Sequence, residues 1–157
     1  IELFLNFSSK SIAALNIFVD ALISANKKHN FISQSTVADI WHRHILDSAQ
    51  LVKFIDFKSG SLSDLGSGAG FPGIVLAIFN ENKNFHVKLY EKSPVKRKFL
   101  SKIIKDLDPT KESFTRIDLF QDPDALENLY DSLDRLDLGQ NSSWNWIRSI
   151  ILPSNKN

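Results

Sequence analysis

The chain of 157 residues contains no cysteine and no methionine. The lack of cysteine excludes disulfides, thiolate metal ligands, redox dithiols and a cysteine nucleophile. The four histidines do not have the H-E-x-x-H spacing of a zinc enzyme, so no metal is expected. No apolar run approaches the ~18 residues of a membrane span, and the first residues do not have the pattern of a signal peptide. We expect a cytoplasmic protein without a membrane partner, whose true start lies before Ile1.

The net charge is also small, because 19 Lys and Arg residues nearly balance 18 Asp and Glu residues. The balance hides a division between two neighbouring segments. Residues 83–105 carry eight basic side chains and one acid, whereas residues 106–137 carry three basic side chains and ten acids. The first segment is a candidate anion-binding face, and the acidic stretch 118–137 within the second is expected to be a solvated surface that would repel RNA.

The length predicts a single domain over 1–157, with a monomer favoured. Periodicity divides it into N-terminal helices (1–57), an α/β core (58–120) and a C-terminal segment (121–157). Apolar residues at spacings of three and four predict one helix over 10–25 and a second over 36–54. Ser35 is the expected N-cap of the second helix, and His44 and Asp47 are expected to bond each other on one of its faces.

In the α/β core, segments with the two-residue periodicity of strands alternate with segments that have the periodicity of helices. Short strands are expected at 61–65, 85–90 and 114–120, and helices at 73–80 and from Pro94 to Leu107, with Ser93 as N-cap. A strand, a glycine loop, a helix, a strand and a helix in this order are typical of an α/β protein with a parallel sheet. No regular pattern continues beyond residue 121.

The glycine loop, Asp64-Leu65-Gly66-Ser67-Gly68-Ala69-Gly70, joins the first strand to a helix. Its G-x-G-x-G spacing is one residue shorter than that of dinucleotide-binding folds and looks like the first motif of S-adenosyl-L-methionine-dependent methyltransferases. An ordinary turn is the alternative. Glu91, which ends the second strand, favours the cofactor loop because an acid there can accept hydrogen bonds from both ribose hydroxyls of an adenosine cofactor. The loop residues expected to bind the cofactor are Asp64, Gly66, Ser67, Gly68 and Gly70.

Three segments resemble one family more specifically. Gly66-Ser67-Gly68-Ala69-Gly70-Phe71-Pro72-Gly73, Arg43-His44-Ile45-Leu46-Asp47-Ser48 and Asn30-Phe31-Ile32 are similar to the RsmG (GidB) family of bacterial ribosomal RNA methyltransferases. The resemblance covers roughly residues 20–107. It implies a Rossmann-like class I methyltransferase fold with N-terminal helices, S-adenosyl-L-methionine as cofactor, and methylation of guanine N7 in 16S ribosomal RNA of the small subunit.

The resemblance also assigns site residues. Gly66 and Phe71 would line the cofactor pocket, and Thr115-Arg116-Ile117-Asp118 looks like a family segment in which Ile117 and Asp118 would approach the adenine. The family has an arginine on its fourth strand, and Arg135 is the candidate for it. Because its surroundings are too acidic and too polar for a central parallel strand, no role is assigned to Arg135. The family's last three strands have no counterpart here, so the sheet is expected to be incomplete. The C-terminal part is divergent and shortened, or it is a truncated or frame-shifted reading.

The chemistry implied by the resemblance needs no general base, because guanine N7 carries a lone pair and no proton, and no catalytic residue is assigned. Pyrimidine C5 methylation usually needs a cysteine, which is absent, and no [N/D]-P-P-[Y/F] motif of amine methylation is present. The alternatives are a non-catalytic module that binds cofactor or RNA, and a methyltransferase for a small molecule or protein.

Phosphate contacts are expected from basic residues, with a merely solvated helix face as the alternative for each lysine. Trp41 is expected in the core, with a base-stacking platform as the alternative, whereas Trp144 and Trp146 have no predicted place. The residues expected to bind RNA are Arg43, Lys96, Arg97, Lys98 and Lys102.

Overall fold

The computed structural model of the chain describes residues 7–80, 82–107 and 115–121, all within one compact unit, Ile1–Gln121. The helices are α1 (Ser9–Asn26), α2 (Gln34–Val37), α3 (Asp47–Ala49), α4 (Gly73–Phe79) and α5 (Pro94–Leu107). The strands are β1 (Gly60–Leu65), β2 (Phe85–Tyr90) and β3 (Arg116–Phe120). The predictions for Arg135, Trp144 and Trp146 lie outside these residues.

The three strands form one parallel sheet in the order β1-β2-β3, with Gly60 paired to Phe85 and His86 paired to Arg116. Along β2 every second side chain is buried, as the alternation in the sequence predicts. Helices α4 and α5 connect the strands, so the α/β class with a parallel sheet is confirmed, and the arrangement is Rossmann-like. Within the described ranges no helix is long and apolar enough to cross a membrane.

Helix α1 confirms the predicted helix and supplies much of the N-terminal core. Ser8 precedes it, and the Ser8 Oγ accepts a hydrogen bond from the Ser11 backbone N at 3.1 Å. Leu15, Phe18 and Leu22 lie on one face and are completely buried. This face packs against α4 and α5, so the N-terminal helices and the sheet share one core.

The second predicted helix, 36–54, is helical over most of its length, but the structure divides it into several short elements. Helix α2 is followed by a π-helical turn at Trp41–Leu46, by α3 and by a 3₁₀ turn at Gln50–Phe54. Ile40 and Ile45 are both buried although they are five residues apart, which suits the wider π turn better than a regular α-helix. Ser35 lies inside α2, and Ser33 is the residue that precedes it, so the N-cap prediction is wrong.

Uncharged side chains join the loops at the amino end of the sheet. The Asn82 Nδ2 donates to the carbonyl oxygens of Phe57 at 2.8 Å and Lys58 at 2.6 Å. The Thr115 Oγ1 donates to the Asn80 carbonyl at 2.8 Å, and the Asn80 Nδ2 donates back to the Thr115 Oγ1 at 2.5 Å. These contacts hold together the chain segments that lead into all three strands.

Candidate functional site

The glycine loop follows β1 and is tied to the carboxyl end of β2. The backbone N–H groups of Gly66 and Ser67 both donate to the Tyr90 carbonyl, at 2.8 and 3.0 Å. The Gly70 N–H then closes a turn onto the Ser67 carbonyl at 2.7 Å. The loop therefore lies where the carboxyl ends of two parallel strands meet, which is the usual ligand position in open α/β sheets.

The three glycines of the loop have different surroundings. Gly66 and Gly68 have φ angles of +77° and +57°, in the left-handed region that favours glycine. A Cβ at Gly66 would meet nothing within 4 Å, and one at Gly68 would meet only the Gly66 carbonyl at 3.7 Å. A Cβ at Gly70 would lie 2.7 Å from Ile74 Cγ1. Gly70 therefore serves packing, whereas Gly66 and Gly68 border open space.

Glu91 is buried and connects the loop to the start of α5. Its Oε2 accepts a hydrogen bond from the Gly68 backbone N at 2.8 Å, and its Oε1 accepts one from the Ser93 backbone N at 2.7 Å. A carboxylate has about four acceptor positions, so each oxygen can accept one more donor. The sequence indicates only that a carboxylate lies at the end of β2. Which two backbone N–H groups it binds is determined by how the chain folds.

Asp64 and Ser67 support the loop from its buried side. The Asp64 Oδ2 accepts a hydrogen bond from the Gly73 N at 3.1 Å, at the first residue of α4. The Ser67 Oγ donates to the Asp64 carbonyl at 2.9 Å. Burial raises the pKa of Asp64 to about 6, although hydrogen bonds from Gly73 and Ser67 oppose the shift; the charge of Glu91 adds to it. Asp64 thus anchors the helix that follows the loop.

Phe71 joins the loop to the N-terminal helices. Its ring stacks on His44 with the centroids 5.1 Å apart and lies 5.3 Å from the ring of Phe18. The His44 Nε2 lies 2.9 Å from the Thr36 Oγ1, so its hydrogen-bond partner is Thr36 and the predicted pair with Asp47 is wrong. The π turn brings His44 to Thr36, eight residues earlier. Burial and then the charge of Arg43 lower the pKa of His44, and Asp47 opposes them electrostatically.

Ile117 and Asp118 lie one strand further along the sheet. They pair with Val87 and Lys88 in the middle of β2, whereas the glycine loop contacts Tyr90 at its end. The Asp118 Oδ1 binds the Arg116 Nε at 3.0 Å. The structure therefore does not bring these two residues into contact with the loop, and their role towards an adenine stays a prediction.

An aromatic pair at the carboxyl ends of β2 and β3 has no counterpart in the sequence predictions. Tyr90 and Phe120 are stacked, with ring centroids 5.0 Å apart and an angle of 17° between the rings. Two aromatic residues 30 positions apart carry no local signal of this contact. Only the parallel register of the two strands brings them together.

The basic residues expected to bind RNA are not equivalent. Lys98 on α5 and Arg43 on the π turn are exposed, and Lys96 is half-buried. The Lys102 Nζ binds the Asp106 Oδ2 at 2.5 Å, one helical turn away. The Arg97 Nη1 donates to the backbone carbonyls of Glu91 and Lys92. Arg43, Lys98 and Lys102 are thus the exposed members of this set, and Lys102 among them is paired with a carboxylate.

Comparison with known proteins gives a consistent family. Residues 11–124 match the GidB family, described as rRNA small subunit methyltransferase G. The chain is 42% identical over 106 residues to the ribosomal RNA small subunit methyltransferase G of Pelagibacter ubique (strain HTCC1062). The aligned region covers 65% of this chain and 50% of the relative. It is 46% identical over 97 residues to the protein of that name from Rickettsia prowazekii (strain Madrid E), covering 62% and 49%. The chain therefore spans about half the length of the curated relatives it matches.

Proposed function

The chain belongs to the GidB family of rRNA small subunit methyltransferase G, and from this membership we propose that it binds S-adenosyl-L-methionine at the glycine loop and methylates guanine N7 in 16S ribosomal RNA. Its partner is the small-subunit RNA or the small subunit itself, in the cytoplasm. The cofactor, the target atom and the site residues are part of what we propose. One arrangement carries it: the open space beside Gly66 and Gly68, next to the buried carboxylate of Glu91.

The residues of the loop fit an adenosine cofactor in two respects. Gly66 and Gly68 leave room on the side where any other residue would place a Cβ, so backbone can approach a ligand closely. Glu91 lies directly beside Gly68 and keeps unused acceptor positions, which a ribose diol would satisfy. Phe71, half-buried between His44 and Phe18, contributes an apolar wall after the loop.

The proposed reaction needs little from the protein beyond positioning. S-adenosyl-L-methionine supplies an electrophilic methyl group when bound. Guanine N7 would attack with its own lone pair while the bond between the methyl carbon and the sulfonium sulfur breaks and the sulfur keeps the electron pair, so no side chain would have to remove a proton. The task of the loop, Glu91 and Phe71 is to hold the donor, and that of the cationic side chains is to hold the RNA backbone.

The cofactor site can be tested with a matched pair of variants. Gly60 and Gly66 lie at opposite ends of β1, both have positive φ, and neither would have a neighbour within 4 Å of an added Cβ. Substitution by Ala should therefore cost both proteins about 1 kcal/mol of backbone strain. Only Gly66→Ala should abolish calorimetric binding of S-adenosylhomocysteine. Equal affinity of G66A and G60A would contradict the site.

The activity is tested with labelled S-adenosyl-L-methionine and small-subunit RNA from cells that lack the family enzyme. The wild-type chain should transfer label to the RNA, and mapping should place it at guanine N7. Glu91→Gln, which turns one acceptor oxygen into a donor facing a backbone N–H, should raise the cofactor KM strongly. A folded protein that transfers no label would refute the proposed activity.

One alternative is a module that binds the cofactor without turnover. Calorimetry and label transfer separate the two functions. Binding of S-adenosylhomocysteine without methylation of RNA would support the module. The third possibility, a small-molecule or protein substrate, predicts turnover without salt-dependent binding to RNA.

A further inference from the structure

The position of Glu91 depends on a short linker between β2 and α5. The last hydrogen bond towards β3 is long, because the Glu91 backbone N lies 3.4 Å from the Phe120 carbonyl oxygen. Residues 91–93 belong to no helix or strand. The carbonyl groups of such a linker are not held by a sheet ladder, so a side-chain donor that binds them can fix the course of the linker.

Arg97 supplies that donor from the first turn of α5. Its Nη1 lies 2.9 Å from the Glu91 carbonyl oxygen and 2.6 Å from the Lys92 carbonyl oxygen. Each terminal guanidinium nitrogen carries two N–H groups, so one nitrogen can serve both carbonyls. The Ser93 N–H meanwhile donates to the Glu91 carboxylate. The linker is thus held both by Arg97 and by Glu91 itself.

We propose that Arg97 is a positioning residue that fixes the linker so that the Glu91 carboxylate faces Gly68, and that it acts on the cofactor site rather than on the RNA backbone. The inference rests on the proposed function for its cofactor. Its geometric part, the link from Arg97 through the backbone of Glu91 to the Gly68 N–H, stands on the structure alone.

The neighbouring residue provides a matched control. Lys98 lies next to Arg97 on α5, is exposed, and was given the same RNA role by the sequence. Arg97→Gln and Lys98→Gln remove the same charge from adjacent positions. Arg97→Lys keeps a cationic donor, and since Nη1 alone makes both contacts, one ammonium group can replace part of them.

The first readout is amide hydrogen exchange, measured by NMR at the Gly68 and Ser93 N–H groups of the cofactor-free protein. R97Q should exchange about tenfold faster there, since a hydrogen bond from a charged group is worth about a decade in an equilibrium constant. K98Q should exchange at the wild-type rate, and R97K should fall between. In the wild-type protein the Nη protons of Arg97 should give resolved, slowly exchanging signals.

The second readout is function. R97Q should bind S-adenosylhomocysteine about tenfold more weakly and raise the cofactor KM with kcat unchanged, with partial rescue by R97K. K98Q should keep the cofactor affinity and lose affinity for RNA. A loss of cofactor affinity in R97Q would indicate a positioning role, whereas a loss of RNA affinity in K98Q would indicate phosphate binding.

Two results would overturn the inference: exchange at Gly68 and Ser93 that is the same in R97Q and K98Q, or averaged, fast-exchanging Nη signals from wild-type Arg97. The second needs no variant, so it holds even if R97Q does not fold. A wild-type protein that binds no S-adenosylhomocysteine would instead refute the proposed function, while the exchange comparison would still decide whether Arg97 fixes Glu91.

Discussion

The two ends of the parallel sheet are held by the same kind of contact but by different chemical groups. At the amino end, Asn80, Asn82 and Thr115 join the incoming loops with amide and hydroxyl groups. At the carboxyl end, Asp64 and Glu91 hold the outgoing loops with carboxylates. Amide and hydroxyl groups do not titrate, whereas burial raises the pKa of the Asp64 carboxyl group to about 6. The contribution of the amino end to stability therefore does not depend on the protonation of its own groups, whereas ionisation of the buried Asp64 at the carboxyl end reduces stability.

Asp64 shows how a buried carboxylate at the carboxyl end lowers the stability of the folded protein. Its pKa is raised to about 6, chiefly by burial, which means that the folded protein disfavours the ionised carboxylate. At neutral pH the group is nevertheless mostly ionised, because the pH lies above that pKa. A neutral amide at the amino end carries no such penalty. Buried groups of this kind, kept against stability, are typical of functional sites.

Asp64→Asn should produce the largest effect, and it acts on the pH dependence of stability. Between pH 4 and 6 the folded wild-type protein binds more protons than the unfolded chain, so its free energy of unfolding falls as the pH rises. A shift of about two units corresponds to about 3 kcal/mol. The difference in unfolding free energy between D64N and wild type should therefore move by about that amount in favour of D64N between pH 4 and pH 7.

The measurement is urea unfolding at several pH values, with Asn82→Ala as the control because it changes no ionisable group. The N82A difference from wild type should stay constant over the same range. A D64N difference that is equally flat would show that the carboxylate is not destabilised, and the contrast between the two ends would lose its main support.

The elements on which this contrast rests were only partly predictable. The alternation of Phe85–Tyr90 and the Ser93-Pro94 start of α5 are local patterns, and the structure confirms both elements. The glycine spacing and Glu91 are equally local, and they indicate the right end of the sheet. What they cannot indicate is which backbone groups Glu91 binds, because these depend on how two loops meet.

Other features carry no local signal at all. Asn82 binds carbonyls 24 and 25 residues earlier, and an asparagine in a polar loop is typical of any turn. The π turn at Trp41–Leu46 follows from tertiary packing of Ile40 and Ile45, which overrides the periodicity of the sequence. Arg97 and Lys98 look alike in a basic run, and only the fold turns one of them back onto the backbone.

Asn82→Ala should produce the next largest effect, and it acts on stability alone. The substitution removes the two hydrogen bonds that Asn82 donates to Phe57 and Lys58 and the exposed one that it accepts from the Asn84 N–H, which together contribute about 2 kcal/mol. Denaturation should show this loss, whereas the affinity of the folded protein for S-adenosylhomocysteine should be unchanged. If N82A instead bound S-adenosylhomocysteine more weakly and unfolded at the same denaturant concentration as the wild type, the amino end of the sheet would act on binding and not on stability, which would contradict this prediction.

Thr36→Val should have the smallest effect, and it tests a second titrating contact beside the glycine loop. The Thr36 Oγ1 donates to the Ser33 carbonyl at 2.8 Å, so towards His44 it has to accept, which places the histidine proton on Nε2. Valine leaves that N–H without its partner at a loss of about 1 kcal/mol. Nitrogen NMR should show the Nε2–H tautomer of His44 in the wild type and a mixture of tautomers in T36V.

The same contact has a predictable dependence on pH, opposite in sign to that of Asp64. Because burial and Arg43 lower the pKa of His44, the unfolded chain binds its proton more readily. The contribution of the neutral ring, stacked on Phe71, is complete above the ordinary value of 6.5 and is lost as the pH falls below it. An Nδ1–H tautomer in the wild type would contradict this account, because Thr36 would then have to donate to His44 and release Ser33.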